Sequence, residues 1–324
     1  MAAFSYTAPI FTEKQEREEA ASITDEEKKS IRIDVFGVDK SIEETEEVLE
    51  RSLARFAEEI DAISDDNKKV YMVALQRCPN VVDQESPPIR FLRAENYDAR
   101  NGAIRLTKYW ESRLDLFGPE RAFLPMTQSG AMKDDMDCFD VLLDENHMLP
   151  HDNRGRAVWF SNKGCRNVER LGKRQQLRIL WYYVHTALEV ESVQTSGFVL
   201  LVGLHINMHT QLNRSLLRME VLHFRDVLPS TLRAVHFFQV SSFAKEWLLP
   251  SVKFLLGRRL RLRLIIHAPT QQEDIVKYAF NAANIPVCCG GTYKYNQTKW
   301  LEARRLLEES RRCGDAVPIT MLKS

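Results

Sequence analysis

No run of apolar residues in this 324-residue chain approaches the roughly 20 that a membrane-spanning helix requires. The opening stretch, MAAFSYTAPIFTEKQEREE, lacks the basic-then-apolar pattern of a secretory signal, so the expected location is cytoplasmic. An excess of one charge is also missing, because 45 Lys and Arg balance 45 Asp and Glu. Nucleic acid binding needs a concentrated basic face, and a neutral total argues against nucleic acid as the main partner. The six cysteines (Cys78, Cys138, Cys165, Cys288, Cys289, Cys313) contain no C-x-x-C pair and form no disulfide framework. They read as reduced thiols.

Catalytic motifs are equally scarce. The chain has no G-x-S-x-G elbow, no P-loop, no G-x-G-x-x-G and no H-E-x-x-H. His205 and His209 share helical i, i+4 spacing without a third ligand, and adjacent Cys288 and Cys289 are poorly placed to bridge each other. The expectation is a protein that is not an enzyme, with no metal site and no cofactor.

What is present is a full-sized soluble composition, 44% hydrophobic and 28% charged. Charge is unevenly spread, with an acidic excess of eleven between Glu13 and Asp66 that the C-terminal half compensates. Residues 1–40 are polar without strong periodicity and are expected to be a mobile tail. Residues 41–130 read as a helical lobe. Ser41 and Glu44 form a capping box ahead of Val48, Leu49, Leu53, Phe56 and Ile60; a second helix spans Asn67 to Arg77, and a long one starts at Ala99.

After Gly118 the pattern changes. Arg156 to Phe160 reads as the first strand, followed by Phe198 to Val202, Val235 to Val240 and Leu260 to His267. Helical patterns at Arg174 to Val190, Gln211 to Asp226 and Phe243 to Leu256 separate them. The expected fold class is α/β: an all-helical N-terminal lobe, then a mostly parallel sheet flanked by helices over 131–295, then a C-terminal helix and tail over 296–324.

These strands carry almost no catalytic group at their ends, which points to a container for something apolar. Phe243 to Leu256 (FAKEWLLPSVKFLL) is too apolar for an ordinary exposed helix. Phe243, Trp247, Leu248, Val252 and Leu255 can face a cavity, with Pro250 as a hinge, or the segment can pack as core. Val158, Phe160, Phe198, Leu200, Val202, Phe237 and Ile265 are candidate pocket residues, although the hollow face is not readable from alternation. In the run RRLRLR (Arg258, Arg259, Arg261 and Arg263), strand alternation would put several guanidiniums on one side, toward anionic headgroups or toward carboxylates on a solvated edge. Arg90 and Arg93 are expected to anchor the helical lobe to the sheet.

Three stretches in order carry a resemblance. They are Arg90 to Asp98 (RFLRAENYD) with Ala103 and Trp110, Gly155 to Phe160 (GRAVWF), and Val227 to Gly291 with Leu228-Pro229 and the ending IPVCCGG. Over residues 65–295 this set resembles the CRAL-TRIO (cellular-retinaldehyde-binding and triple-function) lipid-transfer family, including its phosphatidylinositol/phosphatidylcholine-transferring members. The resemblance implies one lipid held on a sheet face under a mobile gate helix and carried between membranes, with transient membrane contact and a possible protein partner. The phosphatidylinositol-binding members hold the headgroup with a Glu and a Lys. Ungapped matching puts Met219 and Val252 at those positions, with Glu220 and Lys253 one residue away. Glu220, Lys253, Arg258 and Arg259 are the headgroup candidates. Gly203 and Ile206 also depart from the family's Asp and Gly. The alternative expectation is a scaffold or lipid-sensing regulatory module that recruits a protein partner.

Overall fold

The computed structural model describes residues 10–37, 44–141, 146–162, 171–203, 214–238, 246, 249–267 and 272–313. Two short helices come first, α1 (Glu13–Ala21) and α2 (Asp25–Phe36). Each opens on a capping box, Thr12 with Gln15 and Thr24 with Glu27, in which hydroxyl and side-chain carbonyl satisfy backbone donors reciprocally. The mobile tail expected over residues 1–40 is thus corrected for 13–36, where these caps start two helices whose carboxylates find cationic partners described below.

The helical lobe follows the sequence reading closely. It comprises α3 (Glu46–Ala62), α4 (Asp65–Arg77), α5 (Pro79–Glu85), α6 (Pro88–Ala94) and α7 (Ala99–Arg121). α3 opens on Thr45, whose hydroxyl accepts from Val48 N–H, rather than on Ser41. Ser41 lies outside the described residues. The lobe centres on Tyr109 and Trp110, both fully buried. Arg113, also fully buried, is held by Glu85 at 2.6 Å, the Tyr109 hydroxyl at 2.7 Å and the Leu124 carbonyl at 2.6 Å. A charge at that depth is tolerable only when it is paired and hydrogen-bonded.

The remainder is α/β, as expected. After α8 (Met136–Val141) come β1 (Asn146–Leu149), β2 (Ala157–Asn162), α9 (Lys173–Leu188), α10 (Glu191–Ser196) and β3 (Phe198–Gly203). Then follow α11 (Arg214–Asp226), β4 (Leu232–Phe238), α12 (Leu249–Arg261), β5 (Leu264–Ile266), three short 3₁₀ turns and α13 (Gln297–Cys313). The five strands lie in sequence order, with β1 antiparallel to β2 and the other pairs parallel. The sheet is therefore mixed. β1 was missed because its four residues, NHML, show no alternation.

Parallel strands joined by crossovers in one direction put their helices on one face, since such crossovers are right-handed. α9, α11 and α12 accordingly cover a single face, and the helical lobe shares that core: Tyr109 stacks on Trp181 of α9 at 4.9 Å. The opposite face packs against α2 and the segment around Tyr278, Phe280, Ile285 and Cys289. Arg93 joins lobe and sheet through Glu191 and Gln194 of α10, as expected, while Arg90 donates instead to the Glu85 carbonyl. Arg105 does similar bridging work, pairing with Glu95 and donating to the carbonyls of Phe224 and Arg225.

Several histidines are buried in the neutral form. Burial pushes His185 and His236 well below the ordinary histidine range, and His223 down to about 4. The unfolded chain binds protons near pH 6.5, whereas these native groups do not. Stability is therefore complete above that pH and is lost as pH falls below it. His223 Nδ1 accepts from Trp181 Nε1 at 2.9 Å, a role an asparagine oxygen can fill. In urea titrations, His223→Asn is expected to flatten the stability slope between pH 6 and 5 by about 1.4 kcal/mol per pH unit. An unchanged slope would show that His223 titrates normally in the folded protein.

Candidate functional site

Pleating assigns every strand residue to a face. On the face under α11 and α12, one row across the sheet is Asn146, Ser161, Val202, Phe237 and Ile266; the next is Met148, Trp159, Leu200, Val235 and Leu264. Most of this surface is buried, but Leu200 in the middle of the central strand is only half-buried. Leu217 and Met219 on α11, and Leu264 and Ile266 on β5, are also incompletely covered.

α12 lies over this face through Leu249, Val252, Leu256 and Leu260, a helical spacing that makes one apolar stripe. Its outer side shows Phe254, 42% exposed, with Leu255 between the two sides and half-buried. The helix is not broken at Pro250, the position expected to act as a hinge. Pro250 sits in the first turn, where a missing N–H costs no helical bond, and its carbonyl accepts from Phe11 N–H at 3.0 Å. The helix is interrupted instead at Gly257, with φ 70° and ψ 168°. A Cβ there would meet nothing within 4 Å, so backbone conformation rather than crowding calls for glycine.

The structure divides the sequence-predicted pocket residues. Phe198, Leu200, Val202, Phe237 and Val252 share the α11–α12 face. Val158, Phe160 and Ile265 are corrected: they point the other way, into the core that contains Val199, Leu201, Phe238 and Phe280. Alternation in β2 makes Trp159 and Ser161, not their neighbours, the side chains under the helices. Phe243, Trp247 and Leu248 lie outside the described residues, as do His205 and His209.

The basic run is also corrected. Arg258 to Arg261 finish α12, and β5 begins only at Leu264, so no strand alternation aligns these guanidiniums. The acidic N-terminal helices meet most of them. Lys253 pairs with Glu16 at 2.6 Å and Arg258 with Glu27 at 3.0 Å, while Ser22 Oγ accepts from Arg258 at 3.1 Å. Arg261 pairs with Glu19 at 2.6 Å, and its guanidinium lies 3.7 Å over the Phe11 ring. Arg263 and Arg233 share buried Asp34 at 2.5 and 2.9 Å. Arg259 is exposed, and Glu220 is half-buried on α11. Two of the four headgroup candidates, Lys253 and Arg258, are thus already engaged by carboxylates of the same chain. The Arg258 guanidinium in turn holds the Glu27 carboxyl below its ordinary range.

Among the described residues no group of three or more His, Cys, Asp or Glu side chains is placed to hold a metal ion. Cys288 and Cys289 are both free thiols. Because Asp34 compensates two guanidiniums at once, Asp34→Ala is expected to cost about 3–5 kcal/mol of unfolding free energy by chemical denaturation. Glu16→Ala, at an exposed pair, is expected to cost under about 1 kcal/mol. Equal effects would contradict the buried position assigned to Asp34.

Comparison with known proteins bears on the same region. No curated protein matches the chain. Among solved structures, the crystal structure of Sfh5 aligns with 73% of this chain and 91% of its own at 13% identity, with a TM-score of 0.45. Residues 157–298 match the family model described as the divergent CRAL/TRIO domain, and nothing in the comparisons singles out the phosphatidylinositol/phosphatidylcholine-transferring members. The stretch from β2 to the start of α13 is therefore similar to a CRAL/TRIO domain.

Proposed function

We propose that this protein binds one lipid on the α11–α12 face of its sheet and carries it between membranes, with α12 as the element that moves aside for loading. The CRAL/TRIO-like match supports the class of activity. The observation that carries the location is Leu200, a half-buried leucine at the centre of the central strand, where a packed core ordinarily leaves nothing exposed.

Physical considerations favour a carrier with a movable cover. Each buried CH₂ is worth about 0.8 kcal/mol, so a long acyl or isoprenoid chain leaves a membrane only for an apolar receptor. Loading then has to occur at the bilayer surface. α12 suits that contact, because it has an apolar stripe inward, an aromatic ring outward at Phe254, and its helical path ends at Gly257. No helix among the described residues is long and apolar enough to cross a membrane, and the proposal accordingly places the protein in the cytoplasm with transient surface contact.

Native mass spectrometry of the protein from its own cells, followed by solvent extraction, tests this reading. One stoichiometric lipid is expected, and Leu200→Trp, which fills the uncovered position, is expected to lower the load at least about tenfold with its melting temperature kept. Val252→Asp is expected to abolish loading by placing a charge on the inner stripe of α12. A bare mass that acquires no lipid from mixed vesicles would overturn the carrier reading in favour of a scaffold that recruits a protein partner.

A further inference from the structure

On the same apolar face, three uncharged polar atoms are buried without a hydrogen-bond partner among the described residues: Trp159 Nε1, Ser161 Oγ and Asn146 Oδ1. Their residues are 8%, 2% and 8% exposed. Buried polar groups are nearly always paired, and three orphans in one place call for an occupant.

Register brings them together. Asn146 lies directly opposite Ser161 across the β1–β2 ladder, and Trp159 is two residues back along β2, so all three emerge on the α11–α12 side. The Trp159 ring lies beside Phe224 of α11, with ring centroids 6.2 Å apart. The nearest hydroxyl on α9, that of Tyr183, is already committed: it donates to the Asn146 carbonyl at 3.1 Å and accepts from Gln297 Nε2 at 2.7 Å. Among the described residues nothing pairs the three orphans.

We propose that Asn146, Trp159 and Ser161 form the polar end of the lipid site and select an uncharged lipid that ends in a hydroxyl. This rests on the carrier reading above and names its ligand class. The indole N–H is a donor, the amide oxygen an acceptor, and the serine hydroxyl either. A ligand hydroxyl accepts from Trp159 Nε1 and from the Ser161 hydroxyl and donates to Asn146 Oδ1, leaving each atom paired. Among the described residues no lysine or arginine hydrogen-bonds to any of the three atoms, so a phosphate has no cationic partner shown at this corner. The basic residues of α12 sit over the β4 side of the sheet, two to three strands away at about 4.8 Å per strand, and Lys253, Arg258 and Arg261 are tied to carboxylates of α1 and α2. From the corner, the apolar remainder of the ligand runs over Leu200 and Val235 toward α12.

The test uses the full chain, stripped of bound lipid and offered hexadecanol, hexadecane or phosphatidylcholine in competition with a pyrene-labelled hydrocarbon. Wild type is expected to take hexadecanol at least about tenfold better than hexadecane, and phosphatidylcholine worst. Trp159→Phe and Ser161→Ala are expected to erase the alcohol-over-alkane preference, bringing hexadecanol uptake down to the level of hexadecane uptake by the same variant. A purely structural role for these side chains would instead lower the melting temperature and leave the preference intact. Uptake of both hydrocarbons without preference, as when an internal water already satisfies the corner, overturns the hydroxyl assignment alone. Preference for phosphatidylcholine overturns it as well. Uptake of none of the three overturns the carrier reading together with it.

Discussion

The handedness of the crossover between parallel strands governs how this molecule is put together. Each of the links β2 to β3, β3 to β4 and β4 to β5 moves one strand along the sheet in the same direction, so each deposits its helix on the same side. The consequence is an asymmetric sheet. Among the described residues, one face receives three crossover helices and, through α9, the N-terminal lobe, while the other has no crossover helix and is closed by α2 and the turns after β5. The half-buried Leu200 of β3 lies on the first face.

Electrostatics follows from that asymmetry. The acidic excess of the N-terminal region and the basic end of α12 are far apart in sequence, yet they form one contiguous set of ion pairs from Glu16 to Asp34. Asp34 is its buried anchor, shared between Arg233 on β4 and Arg263 ahead of β5, while the Asp34 carbonyl accepts from Arg156 at 2.6 Å. The neutral total charge of the chain thus conceals two opposed regions that neutralise each other locally.

The sequence carried the α/β class, the helical lobe and four of the five strands because those elements have strong periodicity and clear breaks. It carried less of the site, for reasons that can be assigned to particular residues. Val158 and Phe160 are as apolar as the residues of the α11–α12 face, and both faces of this sheet are covered, so hydrophobicity could not choose between Val158 and Trp159. RRLRLR satisfies strand alternation, but the capacity of arginine and leucine for helix, with a left-handed glycine just before them, kept most of the run on α12. α1 and α2 were overlooked because their surfaces are too polar for periodicity to register, although Thr12 with Gln15 and Thr24 with Glu27 were legible helix starts. The orphaned atoms of Asn146, Trp159 and Ser161 left no sequence signal, since lacking a partner is a property of three-dimensional placement.

The ion pairs along α1 and α2 differ in their access to water, and this grades the attachment of the N-terminal segment. Glu16 and the Arg258–Glu27 pair are substantially exposed, whereas Asp34 and Arg263 are almost wholly enclosed. Dissolved salt screens the first group and scarcely reaches the second. Rising ionic strength therefore loosens the segment at Glu16 and Glu27 while the enclosed pairs at Glu19 and Asp34 stay fastened, so it slackens between two pins and does not lift as a sheet.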